Sequence, residues 1–160
     1  VLMLSATFTG AIITRYEDAF SAIPMLVAFI PMLMDTGGNC GSQTSTMVIR
    51  GMALDEIRLK DFFKVLFKEF RISLVVGVAL AIVNFIRVYI MYHDVAIGFV
   101  TGLSLIGAVI IAKLLGCILP MTAKKLKLDP AIMASPIITT IVDACSVFLY
   151  FNIAVHVLNL

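Results

Sequence analysis

A carboxylate deep inside an apolar run is the first feature of this sequence that could carry chemistry. Residues 129–152 are long enough, at about 1.5 Å of rise per residue, to cross a bilayer core of about 30 Å as a helix, and Asp143 lies among them. A charge at this depth costs free energy in lipid, so Asp143 is expected to face protein or water. Polar residues around it recur at steps of four or three and share one helix face: Ser135, Thr139, Ser146 and Tyr150. The face suits a cation pathway, and a buried structural aspartate with a capping or basic partner is the alternative.

A second polar face precedes the first in the chain. Asp35, Asn39 and Gln43 follow one another at steps of four, in a segment with glycines at positions 37, 38 and 41. Glycine-rich backbone at membrane depth is tolerated only where protein or a water-filled cavity covers it. The carboxylate, amide, hydroxyl and carbonyl oxygens of the two faces are hard ligands, which suit Mg²⁺, Ca²⁺ or Mn²⁺ better than zinc or copper.

The elements that must position these groups are transmembrane helices. The 160 residues are 61% hydrophobic and 14% charged, which excludes an ordinary soluble domain. The predicted fold is an all-α membrane protein with five spans, over residues 1–14, 19–49, 72–91, 95–121 and 129–152. Pro24 and Pro31 indicate that the second run is not one plain helix. The first span is short, at about 21 Å if helical, so we expect a truncated helix with an upstream part missing.

Charges between the spans predict a further helix and an orientation. Residues 50–71 alternate charged and large apolar side chains, which favours an amphipathic helix along the membrane interface over a solvated connector. This loop and the loop before the last span hold most of the 12 Lys and Arg residues, so both are predicted to be cytoplasmic. In a chain of five spans in the cell membrane, the N-terminus is then on the cytoplasmic side and the C-terminus on the outer side. Lys113 is expected to snorkel rather than to pair with a carboxylate.

Two stretches resemble one transporter family. PMLMDTGGNCGSQTSTMVIRGMALDEI resembles the second-helix signature of the MgtE family of magnesium transporters and channels, and DPAIMASPIITTIVDACSVFLYF resembles the last helix of that family. The resemblance covers essentially the whole chain. It implies that residues 1–160 are a transmembrane ion-conducting domain, forming a homodimer with one pathway between the subunits. It also implies a cytosolic domain that senses Mg²⁺ in the full-length protein, which this chain lacks.

The resemblance assigns roles to individual residues. Asp143 corresponds to the aspartate that binds a hydrated Mg²⁺, residues beside the pathway match Gly38, Asn39 and Thr139, and Asp129 matches an acidic residue at the cytoplasmic mouth. From their helix faces we also expect Gln43, Ser135 and Ser146 along the pathway. The role of Asp35 stays open. The expected cargo is Mg²⁺, with Mn²⁺, Ca²⁺ and Co²⁺ as alternatives, and no nucleic acid is expected as a partner.

Two alternatives compete with transport. Asp35, Thr36 and Gly37 spell the triplet of soluble aspartic proteases, and two membrane aspartates could share a proton. The second aspartate, however, is followed by Ala144 and Cys145 and matches no protease pattern. The other alternative is a membrane scaffold that transports nothing. We therefore predict a transporter and not an enzyme.

Overall fold

The computed structural model describes residues 2–16, 21, 23–133 and 135–159, without the side chains of residues 2, 4–6, 8, 132, 133 and 135. These residues form five α-helices and no strand. The helices are α1 (Leu2–Arg15), α2 (Ile30–Ala53), α3 (Phe62–Tyr92), α4 (Val95–Lys125) and α5 (Ser135–Leu158). Short 3₁₀ helices precede three of them, at Pro24–Phe29, Leu59–Asp61 and Pro130–Met133.

Three stretches are long and apolar enough to cross a membrane: Leu59–Tyr92, Val95–Lys125 and Pro136–Leu158. This confirms an all-helical membrane protein, whereas the predicted number of five spans stays a prediction. Helix α2 has 24 residues and thus a length of about 36 Å, but its polar face makes it less apolar than the other three. Helix α1 has only 14 residues.

In the second predicted apolar run, residues 19–49, the prolines interrupt the helix and the glycines do not. The run is broken, as predicted, because Pro24 opens a 3₁₀ helix and Pro31 lies in the first turn of α2, where a missing N–H costs nothing. The glycine-rich segment, by contrast, is regular helix from Ile30 to Ala53. Packing against other helices outweighs the poor helix propensity of glycine there.

The prediction that a separate interfacial helix over residues 50–71 ends before a third span begins is wrong. Residues 54–58 form a turn, in which Asp55 has a left-handed φ of 57°, and a single helix then runs from Phe62 to Tyr92. No proline or glycine occurs between Phe62 and Gly77 to end it. At 31 residues, or about 46 Å, α3 is longer than a bilayer core is thick, so the amphipathic turns and the span are one element.

Helix α4 is the central element of the bundle, since it contacts α2, α3 and α5. Helix α5 also packs against α1 and α2. The largest core cluster lies where the 3₁₀ helix before α2 meets α4 and α5, and includes Leu26, Phe29, Val100 and Phe151. The pair of helices that carries both predicted polar faces, α2 and α5, is therefore held in place from one side by α4.

Candidate functional site

Asp143 lies in the third turn of α5 and is half-buried. No described residue makes a hydrogen bond or an ion pair with its carboxylate. The capping or basic partner of the structural alternative is thus not among the described residues. A half-exposed carboxylate without a partner inside a membrane-length helix is available to an external cation.

Gly38 brings the backbone of α2 to this carboxylate. A Cβ atom placed on Gly38 would lie 3.3 Å from Cγ2 of Thr139 and 3.4 Å from Oδ1 of Asp143. The first distance is tighter than most Cβ contacts and the second is at the short end of ordinary contact, so a larger residue would press on Thr139 and touch the carboxylate. The hydroxyl of Thr139 donates to the carbonyl oxygen of Pro136 over 3.2 Å. Gly38, Thr139 and Asp143, which the resemblance places beside the ion pathway, are therefore neighbours in the structure.

The other two glycines of the segment explain why α2 approaches α5 so closely. A Cβ on Gly37 would lie 2.9 Å from Oγ of Ser146, and one on Gly41 would lie 2.9 Å from Cγ2 of Ile138. On the α4 side, a Cβ on Gly116 would lie 2.5 Å from the carbonyl oxygen of Gly41. Small residues at these crossings allow the helix backbones to touch.

The opposite face of α2 is polar and exposed. Asp35, Asn39 and Gln43 are all exposed in the single chain, and Nδ2 of Asn39 donates to Oδ1 of Asp35 over 3.1 Å. Asp35 is close enough to Asp143 for the two charges to interact. We call the combined set the polar surface, and it consists of Asp35, Gly38, Asn39, Thr139 and Asp143. Gln43 continues it by one helical turn along α2.

Ser146 and Tyr150 do not belong to the polar surface, although their spacing suggested one face with Asp143. Ser146 is 1% exposed and packs against α2, and the hydroxyl of Tyr150 donates to the carbonyl oxygen of Leu26 over 2.9 Å. Three helical residues turn through about 300°, so Ser146 lies about 60° around α5 from Asp143. Asp143 is at the edge of the predicted face, and the rest of that face is turned into the bundle.

Two further predicted residues lie before or at the start of α5. Asp129 is exposed, and its Oδ1 accepts a hydrogen bond from the backbone N–H of Ala131 over 2.9 Å. It precedes the 3₁₀ helix that leads into α5. Ser135 is the first residue of α5, and its side chain lies outside the described part of the chain.

Lys113 does not snorkel; it makes a buried ion pair. Its Nζ lies 3.3 Å from Oε2 of Glu69 and 3.1 Å from Oγ1 of Thr44. The hydroxyl of Thr44 also donates to Oε2 of Glu69 over 3.3 Å. The prediction of snorkelling is wrong because a carboxylate of α3 reaches the ammonium group within the bundle, so the lysine need not extend to the interface.

Glu69 is not a predicted site residue, because it lies in the charged segment assigned to the interface. A signal for its burial nevertheless exists. It begins a series of small and polar residues at steps of four or three, which form the buried face of α3: Glu69, Ser73, Gly77, Ala81, Asn84 and Val88. A helix period that runs unbroken from the charged segment into the apolar one indicates a single helix with Glu69 facing inward.

Among the described residues, no group of three or more His, Cys, Asp or Glu side chains is placed to hold a metal ion. The polar surface of one chain offers two carboxylates, from Asp35 and Asp143, together with an amide and a hydroxyl. Its oxygen donors suit a hard cation that keeps most of its water ligands.

Comparison with known proteins identifies the family. Residues 30–153 match the family model of MgtE, a divalent cation transporter. The chain belongs to the MgtE family. The match includes both polar helices, α2 and α5, almost completely, and it confirms the resemblance found in the two sequence stretches.

Curated relatives of this chain are named as magnesium transporters. The chain is 36% identical over 154 residues to the magnesium transporter MgtE of Bacillus subtilis and 32% identical over 154 residues to that of Thermus thermophilus. In both comparisons 96% of the chain is covered, but only 34% of the relative, so the chain spans about a third of the length of these relatives. They are transporters and not enzymes, which agrees with the prediction and gives the protease alternative no support.

Proposed function

We propose that this chain forms the membrane part of a pathway for hydrated Mg²⁺, in which Asp143 attracts the ion. One observation carries the proposal: Asp143 is half-buried and has no partner among the described residues, next to Gly38, which leaves room beside its carboxylate. The names of the curated relatives support Mg²⁺ as the cargo. Mn²⁺, Ca²⁺ and Co²⁺ can also bind carboxylate and other oxygen ligands, and they are the competing cargoes.

The proposed ion keeps its water because the site is weak in charge and rich in neutral oxygens. Mg²⁺ dehydrates reluctantly and is usually held through one or two carboxylates and several waters. Asp35 and Asp143 repel each other when both are ionised, and a divalent cation near both would relieve that repulsion. In this proposal Asp35 is the second acidic group of the site and Asn39 orients it through their hydrogen bond.

A second copy of the chain completes the pathway in this proposal. The polar surface is exposed on a bundle whose remaining exterior is rich in large apolar side chains, and exposing carboxylates to lipid is costly. A twofold dimer would cover the two polar surfaces with each other and would present two copies of Asp143 to one ion. Gln43 would line the pathway further along α2.

The proposed orientation follows from the charged loops. The loops before α3 and before α5 face the cytoplasm of the cell, which places Asp129 at the inner mouth of the pathway and the C-terminus outside. Residues 1–160 act as the ion-conducting domain. We also propose a cytosolic Mg²⁺-sensing domain in the full-length protein, since the curated relatives are about three times as long as this chain.

The test replaces the carboxylate and follows Mg²⁺ uptake by the intact protein in cells that lack their own Mg²⁺ transport. Asp143→Asn keeps the size but removes the charge, and we expect uptake to fall about tenfold or more, which corresponds to about 1.4 kcal/mol. Asp143→Glu should be intermediate because its longer side chain intrudes on the ion's water shell. Glu56→Gln, an exposed carboxylate outside the polar surface, is the matched control. Normal uptake by the Asp143→Asn variant would show that Asp143 is not the site.

A further inference from the structure

A buried ion pair lies on the inner side of α2, opposite the polar surface. Lys113 of α4, Glu69 of α3 and Thr44 of α2 meet there, with both charged side chains nearly excluded from solvent, at 12% and 10% exposure. Thr44 accepts a hydrogen bond from the ammonium group and donates one to the carboxylate. Three helices are thus connected through one charged pair.

The location of the pair is more informative than its contribution to stability. Burying two charges costs desolvation free energy that their attraction seldom exceeds, so an apolar pair would hold three helices together as well. Lys113 follows Ala112, whose carbonyl oxygen lies 3.3 Å from the position of a Cβ on Gly41, at the crossing of α2 and α4. The ammonium group itself lies 3.1 Å from Oγ1 of Thr44 in α2. The ammonium group is therefore within electrostatic range of the helix that carries half of the polar surface.

We infer that Glu69 compensates the charge of Lys113 and thereby keeps the pathway passable for a divalent cation. The inference rests on the proposed function. Without Glu69, the ammonium group would place a net positive charge in a medium of low dielectric constant, separated from the polar surface only by α2. It would repel a doubly charged ion twice as strongly as a singly charged one. Lys113 supplies the hydrogen bond from α4 to Thr44, and Glu69 makes that connection electrically neutral.

The test compares three variants of the intact protein, with Mg²⁺ influx measured per folded molecule. Glu69→Gln keeps the shape but leaves Lys113 uncompensated, and we expect influx to fall about tenfold or more. Glu69→Gln combined with Lys113→Met removes both charges and should return influx to within about threefold of the parent. Thr44→Val removes the hydrogen bonds of the hydroxyl without changing any charge, and it should also stay within about threefold.

The outcomes separate charge compensation from a structural role. If the double variant is as impaired as Glu69→Gln, or if Thr44→Val is equally impaired, the pair only holds the helices together and the inference is wrong. Should Glu69→Gln fail to fold, the single variant Lys113→Met provides the test. It removes the positive charge and keeps the negative one, so we expect it to retain Mg²⁺ influx. A tenfold loss of influx in this variant would overturn the inference. A parent protein without Mg²⁺ influx would overturn the proposed function and this inference with it.

Discussion

Asp143 and Glu69 are both carboxylates within the packed helices, but they differ in exposure, pairing and neighbouring charge. The side chain of Glu69 is 10% exposed, lies 3.3 Å from the ammonium group of Lys113 and accepts a hydrogen bond from Thr44. Asp143 is half-buried and makes no ion pair or hydrogen bond with the described residues. The charge that acts on it is that of Asp35, which is also negative.

The difference shows that depth in the bundle does not by itself make a carboxylate a cation site. The charge of Glu69 is neutralised by a partner of the same chain, so little attraction is left for a mobile ion. The charges of Asp143 and Asp35 add to each other and remain uncompensated, which favours a cation at the polar surface. The three predictions below test this contrast, beginning with the largest expected effect.

Reversing the charge of Lys113 should damage the fold most. Lys113→Glu places two carboxylates together in a buried position, and we expect a loss of about 3 kcal/mol or more in the free energy of unfolding. The measurement is the yield of monodisperse protein in detergent and its thermal unfolding. Combining it with Glu69→Lys restores opposite charges and should recover part of the loss. Lys125→Glu, at an exposed position, is the matched control; equal stability of Lys113→Glu and this control would contradict the buried pair.

Mg²⁺ should stabilise the protein through Asp143 and not through Glu69. A ligand at about 100 times its dissociation constant adds about 2.7 kcal/mol to the free energy of unfolding of the state that binds it. We therefore expect the melting temperature of the purified protein to rise with Mg²⁺ and to return after chelation with EDTA. The rise should disappear in Asp143→Asn and persist in the double variant Glu69→Gln with Lys113→Met, which has no carboxylate at position 69. An equal rise in Asp143→Asn would mean that Mg²⁺ binds elsewhere.

A methyl group beside Asp143 should have the smallest effect. The Cβ of Gly38→Ala would lie 3.3 Å from Thr139, which must shift slightly, and 3.4 Å from the carboxylate oxygen, so the space for a hydrated ion shrinks. We expect Mg²⁺ uptake to fall about threefold, which corresponds to a change in free energy of less than about 1 kcal/mol. Gly102→Ala is the control, because its Cβ meets nothing closer than 3.6 Å. If both variants transport equally, the space beside Asp143 is not limiting.

Local patterns in the sequence determine much of this protein. The hydropathy of a stretch depends only on the residues in it, so the apolar runs predict a helical membrane protein. Pro24 and Pro31 mark where α2 can begin. The steps of four along α2 and α5 identify Asn39, Thr139 and Asp143 as members of polar helix faces. These properties depend on the identity and spacing of nearby residues, which is why they can be inferred without a structure.

Only the tertiary structure decides which part of each face is covered. Ser146 is turned into the bundle because Gly37 lets α2 pack against it, and Asp143 stays at the edge of that contact. Lys113 pairs with Glu69 across 44 positions of sequence, a contact that depends on how α3 and α4 are aligned against each other. Helix periodicity gives the angle of a side chain about its own helix, but its partner is set by the rotation and shift of the neighbouring helix, which no local pattern contains.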